Sequence, residues 1–148
     1  MTEFKFYHPL HVRYSDLDTQ WHVNNVKFVE FMEAARFAYI AHVGIWTSKS
    51  FLDLGLIVAT VHVNYLKPIL PDEELRVGVR ASRLGNKSLD LDYVIEIVDG
   101  SHVAATGSTV MVTYDYHTQA TIPIPAAWRK IISEFEGIPP FATDQLKR

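Results

Sequence analysis

The chain contains no cysteine, which excludes thiol nucleophiles, disulfides and cysteine zinc sites together. It has no basic excess: 14 lysines and arginines stand against 17 aspartates and glutamates, for a formal charge of -3. Domains that neutralise phosphate backbones carry a clear positive surplus, so nucleic acid is not an expected partner. No apolar run is long enough to cross a bilayer, and the opening MTEFKFYHPLHVRY has no apolar segment of signal-peptide type. The expectation is a cytoplasmic protein with no membrane partner. No G-x-S-x-G elbow, G-x-x-x-x-G-K loop or H-E-x-x-H pair occurs in the sequence, so nucleophilic serine, P-loop and zincin chemistries are unsupported. Asn86-Lys87-Ser88 spells a glycosylation sequon, read as chance in a chain expected to stay in the cytoplasm.

What is present fits one globular domain. At 148 residues, with 48% hydrophobic and 21% charged residues, the chain can bury a substantial core without reaching the size at which domains divide. The expectation is a single domain over residues 1–148, with a core from about 6 to 136 and a loose tail over 139–148. Phe6, His8, Leu10, Val12 and Tyr14 alternate as in a first strand. From Val26 to about His42 there is no glycine or proline, and Phe28, Phe31, Met32, Ala35, Tyr39 and His42 recur at helical spacing. Asn24 or Asn25 would cap this helix and Gly44 follow its end. Val29, Phe37, Ile40 and Ala41 make its other side apolar too, which predicts a helix largely surrounded by protein.

A short helix or turn is expected over Ser48 to Leu54. Four β-rich runs come next: Leu56 to Leu66, Glu74 to Leu84, Ser88 to Val98 and His102 to Tyr116. Turn signals at Lys67-Pro68, Pro71-Asp72, Gly85-Asn86 and Asp99-Gly100 separate them and suggest a meander. A last helix is expected from near Pro125 to about Glu136, ended by Gly137. This order belongs to the α+β class, an antiparallel sheet curled around one long central helix.

The segment Ser15 to Asn25, SDLDTQWHVNN, places two carboxylates, a histidine and two asparagines directly before a helix. A helix N-terminus offers unpaired N–H groups and a positive dipole end, which stabilise negative charge developing on a carbonyl oxygen. An adjacent carboxylate can attack such a carbonyl or take a proton from attacking water. Asp and Asn before a helix are also ordinary turn and cap residues.

Beyond this segment the signals thin out. Asp16, Asp18 and Gln20 imitate the first ligands of a calcium loop, but Trp21 stands where that loop needs glycine and Lys27 where it needs glutamate. The seven histidines are scattered and no metal site is expected; His42 and His62 read as polar residues in or beside the core. Glu33 and Arg36, three apart on the helix, suggest a structural ion pair.

Tyr14 to Arg36, YSDLDTQWHVNNVKFVEFMEAAR, resembles the signature of hotdog-fold acyl-CoA thioesterases of the 4-hydroxybenzoyl-CoA thioesterase-like branch, and the element order is similar from about Phe6 to Phe135. The resemblance implies a hotdog fold that hydrolyses acyl-CoA, with Asp18 as catalytic carboxylate and Asp16 supporting it. Backbone amides around Asn24 and Asn25 would be the oxyanion donors, and His22 would orient water or substrate. Many relatives carry glycine where this chain has Trp21, which could narrow the acyl tunnel or pack on a partner. Arg83, Gly85, Asn86, Lys87 and Ser88 resemble a hairpin that lies near the CoA nucleotide. Also implied are a homodimer or homotetramer, an acyl-CoA substrate and no cofactor beyond it. Phe28, Phe31 and Trp46 could face the acyl pocket or only the core. A hotdog hydratase or dehydratase, a non-catalytic acyl-thioester-binding protein, and an acyl carrier protein in place of CoA stay open as alternatives.

Overall fold

The structure, a computed structural model, describes residues 3–46, 52 and 55–143. Strand β1 (Tyr7–His11) is followed by a single 3-10 turn at Tyr14–Asp16, the long helix α1 (Asn25–Val43), strands β2 (Leu56–Tyr65), β3 (Glu74–Leu84), β4 (Ser88–Ile97), β5 (His102–Asp115) and β6 (Ala120–Thr121), and helix α2 (Ala126–Glu136). The turn or helix expected over Ser48 to Leu54 lies outside the described residues, Leu52 apart, as does the tail beyond Thr143. Among the described residues no helix is long and apolar enough to cross a membrane.

The six strands form one sheet in the order β1-β3-β4-β5-β2, with β6 paired to the end of β5. This corrects the expected meander. Of the four long runs, β3, β4 and β5 are consecutive neighbours, joined by short turns at Gly85-Asn86 and around Gly100, and β2 is not. The connection from β2 to β3 is longer and contains Pro68 and Pro71, which cannot donate to a ladder, and β2 pairs with β5 instead. That leaves β3 free to take β1 as an antiparallel partner, with Tyr7 opposite Gly78 and His11 opposite Glu74. β1 is also shorter than its alternation suggests: Tyr14 belongs to the 3-10 turn and is 83% exposed. Strand β6, formed where Gln119 turns the chain at φ 55°, carries too few residues for a periodic signal.

Two compact units divide the chain, each drawn from three stretches: one from residues up to Tyr39, His62–Arg80 and Asp92–Gly107, the other from Ile40–Val61, Ala81–Leu91 and Ser108 onward. In the first, Phe28, Phe31, Met32, Ala35 and Tyr39 of α1 are buried with Leu75, Val77, Val79, Ile95 and Ala105 of the sheet. The helical period thus picks the core face correctly except at His42, which is exposed. The other side of the helix is mixed within this chain: Ile40 is 3% exposed, whereas Phe37 is 48% exposed. His62 is likewise exposed on β2. Arg36 does not pair with Glu33; it donates to the Tyr93 hydroxyl at 3.3 Å, while Glu33 is exposed.

In the second unit Leu84, Leu89, Leu91, Met111 and Ile132 are buried. Helix α2 begins after Pro125 and ends at Gly137, whose φ of 70° lets its N–H reach the Ser133 carbonyl at 2.8 Å.

Candidate active site

Residues 17–23 form a closed loop. Leu17 and Val23 pair across its neck as an isolated antiparallel bridge. Within it, the Asp18 N–H donates to the His22 carbonyl at 2.9 Å and the Trp21 N–H donates to the Asp18 carbonyl at 3.1 Å. Asp18 Oδ1 accepts from the Gln20 N–H at 2.8 Å and from the His22 N–H at 3.4 Å, the local bonding that suits aspartate to turns. Oδ2 accepts neither of these bonds. Trp21 closes the turn at φ 60°, a left-handed conformation that glycine adopts at no steric cost and a tryptophan rarely takes. Its ring is 59% exposed and meets Tyr14 edge-on at 6.2 Å.

Beneath the loop, Asp16 has no exposed surface. Its Oδ2 accepts from the Arg13 N–H at 2.8 Å, its Oδ1 from Arg13 Nη2 at 3.0 Å, and Lys27 Nζ stands 3.9 Å away. Burial pushes its pKa up, but the Arg13 hydrogen bonds and the Arg13 and Lys27 charges outweigh this and hold it below the ordinary aspartate value. The Asp16 carbonyl accepts the Asn24 N–H at 2.8 Å, so this one residue ties the exit of β1 to the entry of α1.

Asn24 is the cap of that helix. Its Oδ1 accepts from the Val26 N–H at 3.2 Å and its carbonyl from the Lys27 N–H at 2.8 Å. Of the two backbone amides expected as oxyanion donors, the Asn24 N–H is therefore already committed to Asp16. The Asn25 N–H has no acceptor among the described residues. It sits at the positive end of a 19-residue helix.

Asp18, His22 and Asn25 line one cleft of about 320 Å³, floored by Phe28 and Val23 and walled by residues 65–68. All of it lies in the first unit. Phe28 is 4% exposed, so it serves both core and cleft. Phe31 lines a different hollow, beside Pro9 and Leu10, and Trp46 is half-buried in the second unit. Asp16 and Trp21 do not line the 320 Å³ cleft. A neighbouring hollow of about 450 Å³, bordered by Tyr14, Leu17, Thr19 and Trp21, shares only Asp18 with it.

Sequence reasoning missed Tyr65 and Lys67. The Tyr65 hydroxyl donates to the Asn25 carbonyl at 3.0 Å and its ring packs edge-on against Phe28 at 5.0 Å. The signal at Lys67-Pro68 reads only as a turn, and nothing in the sequence says which element that turn faces.

The hairpin of Arg83, Gly85, Asn86, Lys87 and Ser88 belongs to the second unit. Its backbone is bound from behind: buried Arg129 donates to the Gly85 and Asn86 carbonyls at 2.9 and 3.2 Å, and the Thr113 N–H donates to the Lys87 carbonyl at 3.0 Å. A Cβ at Gly85 would come within 2.9 Å of Arg83 Nη1 and 3.0 Å of the Ser88 carbonyl oxygen, so close packing explains the glycine. Asn86 and Lys87 are exposed. Among the described residues no three His, Asp or Glu side chains are grouped as a metal site.

The family model of the thioesterase-like superfamily matches residues 12–132, which include the Asp18 loop, α1 and every strand after β1. The chain belongs to the thioesterase-like superfamily. A crystal structure of a thioesterase from Thermus thermophilus, complexed with coenzyme A and Zn, superposes on this thioesterase-like chain with a TM-score of 0.81 at 35% identity, covering 94% of this chain and 99% of that one. The long-chain acyl-CoA thioesterase FadM of Escherichia coli (strain K12) is 25% identical over 123 residues, 83% of this chain and 93% of FadM. The uncharacterized protein YsmA of Bacillus subtilis (strain 168) is 33% identical over 111 residues, 75% of this chain and 74% of YsmA. The fold is the hotdog fold of these thioesterases, a long helix with a curved antiparallel sheet, and the chain is a thioester hydrolase.

Proposed function

We propose that this protein hydrolyses acyl-CoA thioesters in the cleft between the Asp18 loop and the start of α1. The observation that carries the proposal is that an exposed carboxylate, Asp18, lines the same cleft as Asn25, whose N–H is unbonded among the described residues and stands at the positive end of a long helix. FadM, which acts on long-chain acyl-CoA by name, and the CoA-bound Thermus structure support the substrate class.

In this reading the thioester carbonyl oxygen rests on the Asn25 N–H, where the negative charge of the tetrahedral intermediate is stabilised. Asp18 drives attack on the carbonyl carbon. As nucleophile it forms an acyl-aspartyl anhydride and expels the CoA thiolate, and water then cleaves the anhydride. As general base it takes a proton from water, which attacks directly and expels the same thiolate. Each route consumes one water and gives a free acid and CoA, and neither needs a cofactor. Rapid quench and mass spectrometry separate them, because only the first leaves an acyl group on the peptide containing Asp18. His22, in the same cleft, orients water or the thioester, and Asp16 keeps the loop and the helix start in register. The hairpin with Arg83, Asn86, Lys87 and Ser88 is assigned to the CoA nucleotide, through its two exposed residues Asn86 and Lys87. The reaction is assigned to the cytoplasm, and the working form to a homodimer or homotetramer in which a second copy covers β2.

Thiol release from short, medium, long and aromatic acyl-CoAs, with the matching acyl carrier protein thioesters alongside, tests the proposal. Release of CoA from at least one class is the expected result. Hydration of enoyl-CoA without thiol release would overturn it in favour of a hydratase, and thioester binding without either reaction would make the protein a binding module.

A further inference from the structure

We infer that Tyr65 is a positioning residue for the oxyanion site: its hydroxyl fixes the first turn of α1 so that the Asn25 amide is held in place before substrate arrives. The inference rests on the acyl-CoA hydrolysis reading above and adds to it a residue forty positions away in sequence.

Four polar groups surround the Asn25 N–H in the chain, and each has a partner. The Asn24 N–H is held by the Asp16 carbonyl, the Asn24 carbonyl by the Lys27 N–H, and the Val26 N–H by Asn24 Oδ1. The fourth group, the carbonyl of Asn25 itself, is held by Tyr65 Oη at 3.0 Å. A carbonyl in the first turn of a helix is satisfied by the N–H groups of the next turn, so a bond from a distant side chain is not needed to form the helix. Its consequence is orientation. Both peptide groups that flank Asn25 are pinned while its own N–H is left without an acceptor among the described residues. A donor fixed in advance stabilises developing charge without reorganising, and this gives oxyanion sites most of their effect.

Packing does not account for the tyrosine. Its ring is 49% exposed, and phenylalanine would make the same edge-on contact with Phe28. Exposure on a cleft wall beside Asp18, His22 and Lys67, together with a hydroxyl aimed at a backbone carbonyl, is what positioning requires. The cost of losing it would fall on the transition state, where charge on the oxygen is greatest, and not on binding of the ground-state thioester.

Tyr65→Phe removes the hydroxyl and keeps the ring. The expected result is a fall in kcat of about tenfold with KM changed by less than about twofold, since a donor is displaced and not deleted. The thermal midpoint should stay within about 1 °C of native, because a single exposed hydrogen bond adds little to stability. A second measurement does not depend on turnover: in amide-resolved NMR spectra of the same variant, the Asn25 and Val26 resonances should move while those at the far end of α1 do not. Native kcat and KM in Tyr65→Phe, or unmoved Asn25 and Val26 amides, would overturn the inference. A native chain that hydrolyses no acyl thioester would instead defeat the hydrolase reading, whereas hydrolysis lost in Asp18→Asn and intact in Tyr65→Phe would defeat the role of Tyr65 alone.

Discussion

Asp16 and Asp18 are the same residue type two positions apart, and burial divides their work. Asp18 is exposed in the cleft, whereas Asp16 has no exposed surface and is held by Arg13 and Lys27. Replacing Asp16 with Asn removes a buried charge that these two cations and the Arg13 N–H share. This should cost about 1–3 kcal/mol of stability at pH 7, as expected for hydrogen bonds to a charged group. Because the Asp16 pKa is depressed in the folded chain, its stabilisation is fully present above the unfolded aspartate value of about 3.9 and is lost as pH falls through the lower, folded value. Urea denaturation of the native chain and Asp16→Asn from pH 7 downward should therefore give curves that converge at acid pH. A constant gap would contradict the assignment. Much of this was readable beforehand, since Asp16, Asp18, His22, Asn24 and Asn25 lie in one stretch of sequence whose spacing survives folding. Tyr65 was not readable, because its role depends on where β2 ends relative to α1.

At the scale of elements, the close seat of α1 on β5 depends on Gly107. A Cβ there would stand 2.7 Å from Met32 Cε and 2.9 Å from the His62 carbonyl oxygen. The methionine tip can move but the backbone oxygen of β2 cannot, so Gly107→Ala should destabilise the fold by about 1–3 kcal/mol through overpacking. A urea midpoint unchanged from native would contradict the close packing. Helix α1 was readable in both length and core face, because a 3.6-residue period needs no knowledge of its neighbours. Strand order was not. The four β runs are located nearly to the residue, yet their alternation says nothing of pairing, and a β2 to β3 connection with two prolines looks locally like any other turn. The surface of α1 shows the same limit. An apolar side chain such as Phe37 is written identically whether this chain buries it or leaves it 48% exposed.

For the whole molecule, β2 is the strand that asks for company. It closes the sheet order beside β5, and Ile57, Val58 and Val61 along it are 38%, 39% and 45% exposed. An apolar edge strand left bare invites pairing with another chain, and in the proposed homodimer or homotetramer a second copy supplies it. Sedimentation of the native chain should give a mass of two or four copies, and Val61→Asp, which places a charge in that strand, should shift it to one. A monomeric native chain would refute the assembly. The catalytic role proposed for Asp18 is tested most directly by kcat of Asp18→Asn on the best acyl-CoA substrate, with the fold checked by circular dichroism. A loss of about a thousandfold is expected from removing a carboxylate that attacks or deprotonates. A folded variant that turns over at the native rate would contradict it.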